Sequence, residues 1–297
     1  MSASAHLSES AAAKLQLSDA ERIQHIKKAR WIGYGRAREV MTKLEDLLVH
    51  PPQPRMPNML IVGETNNGKT MLVTKFREKH PAEENPNGEA VSIPVLYIQA
   101  PPGPDERGLY NAILNRLFEA PGRSEATDAK RDRVVSILRR VNLGMIMVDE
   151  VQHLLAGPYV KQRSCLNVLK YLGNELCVPL VGIGTAEAVR AIQTDPQLAN
   201  RFTPEILPKW GKDAELARLL ASFERVLPLR EPSQLATPAL AGRIVDLTSG
   251  TIGEISTLLN AAAIHAIRSG EERITIETIG ACDYVAPTTR KQAATMM

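Results

Sequence analysis

Residues 58–70 read Asn58-Met-Leu-Ile-Val-Gly63-Glu-Thr-Asn-Asn-Gly68-Lys69-Thr70. This stretch opens with a short, mostly apolar run that is typical of a strand buried on both faces of a parallel sheet. The residues that follow fit the pattern G-x-x-x-x-G-K-T, and a helical segment runs on from Met71 to His80. In this order of strand, loop and helix, backbone N–H groups and the helix N-terminus surround phosphate oxygens. The stretch therefore predicts a nucleotide-phosphate loop.

The positions of this loop have distinct predicted roles. Lys69 is expected to reach the β- and γ-phosphates of ATP, and Thr70 is expected to ligate Mg²⁺. Asn66 and Asn67 tolerate left-handed backbone conformations, which tight loops need. The predicted ATP-binding residues are Gly63, Glu64, Thr65, Asn66, Asn67, Gly68, Lys69 and Thr70.

Apolar runs of strand length recur along the chain and are separated by helix-length segments. This alternation predicts an α/β fold with a five-stranded parallel sheet sandwiched by helices. The predicted strands are Asn58–Val62, Ile93–Gln99, Leu143–Asp149, Val178–Gly184 and Arg225–Leu229.

Composition changes divide the chain into predicted segments. Ser18 and Glu21 fit a capping box, so helices are expected to begin there and to end before Pro51-Pro52. After Arg230 the pattern becomes that of a small helical unit. The predicted division is a disordered leader (1–17), N-terminal helices (18–52), an ATPase core (53–230), a helical lid (231–285) and a flexible tail (286–297).

Composition also excludes several classes of protein. Of 297 residues, 44% are hydrophobic, which excludes wholesale disorder, and no apolar run is long enough for a membrane span. Cys165, Cys177 and Cys282 lack metal-site spacing and are expected to be buried, reduced thiols. A cytoplasmic location is therefore expected. The formal net charge is only +3, which does not by itself indicate a nucleic-acid binder.

An acidic pair, Asp149 and Glu150, ends the third predicted strand. Strand ends of such sheets face the ligand crevice. Asp149 is predicted to hold Mg²⁺ through water, and Glu150 is predicted to orient and deprotonate the attacking water. The presence of both acids favours hydrolysis over transfer of phosphate to a substrate hydroxyl.

Two further residues have open alternatives. Thr185 follows the fourth predicted strand and is expected either to sense the γ-phosphate or to cap the next helix. Arg201 lies near a helix end before Pro204. It is expected to be either an arginine finger that reaches a neighbouring subunit in trans or a solvated surface arginine.

The order of these parts resembles the AAA+ ATPases, and several segments resemble the TniB/TnsC family of transposition ATPases, relatives of the phage Mu target-DNA ATPase. The resemblance covers about residues 20–285, and Asn66-Asn67 is its most specific element. The segments that carry it are Arg55–Thr70, Asp149–Gly157, Asp195–Phe202 and Leu207–Trp210.

The resemblance implies a regulator that assembles as a ring or filament on target duplex DNA, hydrolyses ATP and recruits or activates a DDE transposase, with a target-selection protein as a further partner. Glu254 stands where many AAA+ proteins place a nucleotide-sensing arginine, which puts such a sensor in doubt. Gln99 is a candidate to hold Glu150 inactive, or a plain polar strand end. The predicted DNA contacts are Arg107, Arg123, Lys130, Arg131 and Arg133; the alternative is a solvated basic face.

Other functions remain open at the level of sequence. A replication initiator or helicase loader has the same core, although residues 231–297 are too few for both a lid and a winged-helix domain. A small-molecule P-loop kinase needs an acceptor pocket, and the acidic pair favours water activation instead. A nucleotide-switched scaffold with negligible turnover is the third alternative.

Overall fold

The computed structural model describes residues 5–85, 90–122, 124–193 and 199–295. The chain forms two compact units. The core unit comprises Arg36–Thr65 and Lys69–Leu207, and the helical unit comprises Met1–Gly35, Asn66–Gly68 and Pro208–Met297. The phosphate loop is thus divided, with its central three residues grouped with the helical unit.

The core unit contains a five-stranded parallel sheet in the order β2-β3-β4-β1-β5. This architecture confirms the predicted α/β fold. Every residue of β1, β3 and β4 is buried, as the continuous apolar runs predict. The strands are β1 (Asn58–Val62), β2 (Val95–Gln99), β3 (Met145–Asp149), β4 (Leu180–Gly184) and β5 (Phe202–Ile206).

The fifth strand is Phe202–Ile206, so the predicted strand over Arg225–Leu229 is wrong. Within the described residues β5 pairs only with β1, and this edge position tolerates Pro204. Because β5 buries only Phe202 and Glu205, it has no continuous apolar run. Arg225–Leu229 instead follows the end of a helix in the helical unit. There Leu227 and Leu229 are buried in an apolar cluster, which explains their strand-like sequence.

Helices of the core unit flank this sheet. They contribute to one apolar core with the strands, in which Cys165 is fully buried. The helices are α3 (Gly35–Leu48), α4 (Lys69–Lys79), α5 (Glu106–Arg116), α6 (Thr127–Arg140), α7 (Tyr159–Leu176) and α8 (Ala186–Gln193), with a 3₁₀ helix over Val151–Leu155.

The helical unit joins both ends of the chain around a second apolar cluster. Ile26 and Ile32 pack in the same cluster as Leu216 and Leu258, so the N-terminal helices group with the C-terminal ones. The boundary after the core lies at 207/208 instead of 230/231. The helices are α1 (Glu9–Lys14), α2 (Asp19–Lys27), α9 (Ala214–Glu224), α10 (Pro238–Thr248), α11 (Ile252–Ser269), α12 (Ile276–Ala281) and α13 (Pro287–Thr295).

Both predicted irregular ends contain helices, which corrects the leader and the tail. The side chain of Ser8 caps α1, and its N–H donates to the Arg225 carbonyl at 2.8 Å, while Ala11 is buried. In α13, Arg290 forms an ion pair with Glu254. The predicted capping box of Ser18 and Glu21 is present at α2. No helix within the described ranges has the length and apolar character that crossing a membrane requires.

Candidate active site

The phosphate loop follows β1 directly, and its lysine is folded against the loop backbone. The Lys69 ammonium donates to the carbonyls of Gly63 and Glu64, each at 2.8 Å. Its side chain is nearly buried, and burial lowers the pKa of Lys69 despite the nearby carboxylates of Glu150 and Asp149. The loop therefore holds its cation at the carboxyl end of β1, where the motif predicts phosphate binding.

Within the helical unit, the loop centre contacts the start of α11. Asn66 accepts the Gly253 N–H on its carbonyl at 3.0 Å, and its side-chain amide donates to Glu254 at 3.0 Å. Asn67 accepts the Ile252 N–H on its side-chain oxygen at 3.3 Å. Asn66 has φ 61°, the left-handed conformation that its residue type tolerates. The Asn-Asn pair thus bonds the loop to the first residues of a helix.

Glu254 accepts hydrogen bonds from three side chains of the helical unit. Besides Asn66, they are the Tyr284 hydroxyl at 2.9 Å and the Arg290 guanidinium at 2.5 Å. Burial raises the pKa of Glu254, but the hydrogen bonds from Arg290 and Tyr284 outweigh burial and hold it below its ordinary value. Glu254 is therefore an ionised, hydrogen-bonded residue.

The acidic pair lies at the carboxyl end of β3. The Asp149 carboxylate is 4% exposed and accepts hydrogen bonds from the Tyr97 hydroxyl at 2.6 Å and from Thr70 Oγ1 at 3.4 Å. Burial and the hydrogen bond to Asp149 raise the pKa of Tyr97, so the phenol remains a donor. A hydroxyl and a carboxylate oxygen that converge in this way are the hard donors that Mg²⁺ prefers. The residues present therefore fit the predicted metal.

Glu150 follows in a left-handed conformation, with φ 53° and ψ 38°. Its N–H donates to Asp149 Oδ1 at 2.8 Å, and its side chain accepts a hydrogen bond from the Gln152 amide. Gln152 also accepts the Thr185 N–H at 3.4 Å. The residue that contacts Glu150 in the described structure is therefore Gln152, whereas the sequence suggested Gln99.

Thr185 stands between β4 and α8. Its Oγ1 is buried and has no hydrogen-bond partner within the described residues, so the hydroxyl does not cap α8. The capping alternative is thereby disfavoured. The sensor role stays a prediction that agrees with an unused hydroxyl at the carboxyl end of the sheet.

Arg201 lies at the opposite end of the strands from the phosphate loop of its own subunit. Its carbonyl accepts the Asn58 N–H at 2.9 Å, and its guanidinium donates to Asn174 at 2.9 Å. Asn58 pairs with Phe202 and begins β1, whereas Gly63 follows the end of that strand. At about 3.3 Å per residue, the two ends of β1 are about 13 Å apart. Only a neighbouring subunit's nucleotide fits the finger role, which stays a prediction.

The predicted DNA contacts have different surroundings in the structure. Lys130 is fully buried, and its ammonium donates to Asn111 at 2.6 Å and to the Gly122 carbonyl at 3.2 Å. The predicted DNA contact of Lys130 is therefore wrong, because this buried lysine bonds α6 to α5 and to the loop between them. Arg131 forms ion pairs with acidic residues of its own helix, and Arg133 pairs with Glu125. Arg107 is half-exposed, and Arg123 lies outside the described residues.

Sequence reasoning missed a basic surface at the start of α7. Lys161 and Arg163 are exposed, and neither forms an ion pair with an acidic residue of the described chain. Tyr159 is 61% exposed, and the Arg163 guanidinium lies 5.9 Å from its ring centre. The signal was present in the sequence, because no acidic residue occurs between Glu150 and Glu175.

This surface lies beside the start of α5. The Ser164 hydroxyl donates to Glu106 at 2.8 Å. A Cβ added to Gly157 would meet Pro104 at 3.5 Å, so the loops before α5 and α7 are in contact. Arg107, which follows Glu106, therefore belongs to the same region of the core unit as Lys161 and Arg163.

Comparison with known proteins agrees with this geometry. The model of the family described as "Bacterial TniB protein" matches residues 22–212, which confirms the resemblance drawn from the sequence. The match includes the phosphate loop and the acidic pair. No curated protein matches the chain.

Many solved structures share the fold at low sequence identity. Aeropyrum pernix ORC2, in its ADPNP-ADP complexes, is 16% identical with a TM-score of 0.60, and the match covers 86% of this chain and 70% of that one. Drosophila ORC bound to DNA is 17% identical with a TM-score of 0.59, over 92% and 66%. The Thermotoga maritima RuvB branch-migration motor is 14% identical with a TM-score of 0.51, over 87% and 72%. These likenesses identify the fold as AAA+.

Proposed function

Since this chain belongs to the bacterial TniB family and is an AAA+ ATPase, we propose that it is an ATP-dependent, DNA-binding regulator of DNA transposition. It assembles on target duplex DNA as a homo-oligomer, a ring or a filament, and recruits or activates a DDE transposase. The observation that carries the ATPase part is the convergence of Lys69, Thr70, Asp149 and Glu150 at the carboxyl ends of β1 and β3.

Each residue of the site has a distinct part in this proposal. Lys69 exchanges its carbonyl partners for phosphate oxygens of ATP, which return two charge-assisted hydrogen bonds. Thr70 and Asp149 hold Mg²⁺, Asp149 through water. When bound, Mg²⁺ supplies positive charge beside the β- and γ-phosphates. Glu150 orients the attacking water and accepts its proton, and the Thr185 hydroxyl senses the γ-phosphate.

Arg201 completes the site of a neighbouring subunit. Its position at the amino end of β1 supports action in trans, because its side chain cannot reach the phosphate loop of its own subunit, which follows the carboxyl end of that strand. Mixing subunits tests this arrangement. Glu150→Gln and Arg201→Ala proteins are each expected to have little ATPase activity. A mixture of the two should recover activity, because some interfaces then pair an intact Glu150 with an intact Arg201. A mixture no more active than its components would count against Arg201.

DNA binding is supported by the basic surface of Lys161 and Arg163. Unpaired cations in a segment without acidic residues attract phosphates, whereas Arg131 and Arg133 are already compensated by carboxylates. Structures of related fold include Aeropyrum pernix ORC1 in complex with DNA, which is 18% identical to this chain. Contacts to the phosphate backbone would give binding that weakens with salt and has little sequence preference. Assembly multiplies the contacts, which agrees with a subunit charge of only +3.

The surface is tested by changing the charges one at a time. Lys161→Ala and Arg163→Ala should each weaken ATP-dependent binding to duplex DNA. Each change should also reduce the slope of log affinity against log salt concentration by about one, because one phosphate contact is lost. Lys75→Ala is the control, because the Lys75 side chain is 40% exposed but is paired with Glu78. Equal effects of Lys161→Ala and Lys75→Ala would contradict the assignment.

The overall function is tested by measuring ATP hydrolysis and assembly size with and without duplex DNA. We expect DNA to promote assembly, and Glu150→Gln to stabilise ATP-bound assemblies on DNA while reducing ATP turnover to a low residual rate. A Glu150→Gln protein that hydrolyses ATP at the normal rate would refute the assignment of the base. The alternative of a replication initiator or helicase loader shares the AAA+ fold. Retention of the transposase by DNA-bound protein separates the two functions.

A further inference from the structure

We propose that Gln152 is a positioning residue that aims the Glu150 carboxylate and connects it to Thr185 at the end of β4. This inference rests on the proposed function of Glu150 as the residue that activates water. It adds a residue to which neither the loop motif nor the acidic pair assigns a role.

The backbone places Gln152 against Glu150. The left-handed conformation of Glu150 is uncommon for a residue with a side chain, and it turns the chain directly from β3 into the 3₁₀ helix over Val151–Leu155. The turn is fixed by the Glu150 N–H, which donates to Asp149 Oδ1 at 2.8 Å. Gln152 lies in this first short turn, so its side chain can return to Glu150.

Both ends of the Gln152 amide are used. The Nε2 group donates to Glu150 Oε2, and Oε1 accepts the Thr185 N–H at 3.4 Å. An amide provides a donor and an acceptor at fixed separation, whereas a glutamate in its place would have no donor for Glu150 and would repel it. Two bonds fix the amide plane, and one Glu150 oxygen is thereby held while the other stays available for water.

Gly184 provides the space for this amide. Its φ lies outside the left-handed region, so conformation does not require glycine there. A Cβ at Gly184 would lie 2.6 Å from Gln152 Oε1. The end of β4 therefore accommodates Gln152 by having no side chain. The same Cβ would also lie 2.9 Å from Ala188 Cβ, so a Gly184 variant perturbs packing and is a poor test.

The Gln152 amide links Glu150, the proposed base, to Thr185, the predicted γ-phosphate sensor. Thr185 contributes its N–H to Gln152 and has a buried hydroxyl with no partner in the described chain. A movement of the Thr185 backbone on phosphate binding is transmitted through the amide to Glu150. Gln152 therefore makes the orientation of the Glu150 carboxylate depend on the position of Thr185 at the end of β4.

The test compares steady-state ATP hydrolysis by full-length Gln152→Ala and Gln152→Glu proteins with that of wild type. We expect kcat to fall by about 10- to 100-fold, because a misplaced Glu150 carboxylate activates water less efficiently. The KM for ATP should change by no more than about twofold, since phosphate binding depends on other residues. Gln162→Ala is the matched control: the Gln162 amide donates to the backbone carbonyl of Gly157 and not to Glu150, so the kcat of this variant should match that of wild type.

A second comparison separates positioning from loss of structure. In a Glu150→Gln background, Gln152→Ala should reduce the residual rate no further, because it acts through Glu150. ATP-analogue affinity and thermal midpoint should be retained; if the alanine variant does not fold, Gln152→Met keeps the side-chain length and replaces it. An unchanged kcat, a changed KM alone, or additive losses would overturn the proposal. Normal hydrolysis by Glu150→Gln alone would instead reject the proposed function.

Discussion

Arg22 joins α2 to the C-terminal part of the helical unit, and its replacement is expected to destabilise the protein. Its side chain is fully buried. The guanidinium donates to both oxygens of Glu272, at 2.8 and 2.5 Å, and to the Pro228 carbonyl at 2.8 and 3.2 Å. The change Arg22→Met keeps much of the apolar stem and removes every one of these donors.

The expected loss follows from what remains behind. Glu272 is 14% exposed and would keep only Arg230 as a cation, at 3.3 Å, while Pro228 would lose its donors. Removing one partner of a buried ion pair costs about 3–5 kcal/mol, because the other charge is left uncompensated. The remaining contact with Arg230 places the expected loss at the lower end, about 3 kcal/mol.

The assay is urea unfolding followed by circular dichroism, since urea does not screen the charges. Burial raises the pKa of Glu272, but hydrogen bonds from Arg22 and the Arg230 N–H outweigh it and hold the pKa below its ordinary value of 4.5. The stability that this pairing contributes is therefore complete above pH 4.5 and is lost as pH falls through the lower folded pKa. The difference between wild type and Arg22→Met should narrow in acid.

A double variant provides the control. Arg22→Met with Glu272→Gln should be less destabilised than Arg22→Met alone, because no buried charge is left unpaired. A loss below about 1 kcal/mol for Arg22→Met, or a double variant as unstable as the sum of the single changes, would show that the pair does not anchor α2.

Three further predictions concern the site and the core. Lys69→Ala should weaken ATP binding by about 100-fold or more and abolish nucleotide-dependent DNA binding; unchanged binding would refute the role of the loop. Tyr97→Phe removes the donor to Asp149, so half-maximal ATPase activity should need about tenfold more Mg²⁺, with an unaltered magnesium titration as the contrary result. Burial raises the pKa of Cys165 to about 11, so iodoacetamide at pH 8 should modify half-buried Cys177 first; equal labelling by mass spectrometry would contradict this.

Local sequence predicted most of the regular structure. The first four strands were found because their two faces are both covered, which leaves continuous apolar runs. The capping box at Ser18 and the span Gly35–Leu48 matched the observed helices. The strand Phe202–Ile206 has no continuous apolar run, because it contains Pro204 and buries only Phe202 and Glu205. Leu227 and Leu229 resemble a strand in sequence because they are buried in the cluster of the helical unit.

A site can be predicted from sequence where one segment carries the chemistry. Gly63–Thr70 and the acidic pair have predicted roles that follow from residue type and from their position next to a strand. Lys130 shows the limit of prediction from residue type. Its charge suggested a DNA contact, whereas the structure places its ammonium in the interior, bonded to Asn111. The prediction favoured Arg123–Arg133 because basic residues are frequent in that segment. Lys161 and Arg163 are fewer, and what distinguishes their segment is the absence of acidic residues.

Residues that are adjacent along the chain were enough to predict the phosphate loop, the acidic pair, the parallel sheet and the family. Three features are visible only in the folded chain: Tyr97 donates to Asp149, Gln152 joins Glu150 to Thr185, and both chain ends belong to one helical unit. These contacts link segments that are distant along the chain or depend on an unusual backbone turn. Hydrogen bonds and burial require positions in space, and periodicity or spacing along a sequence does not contain them.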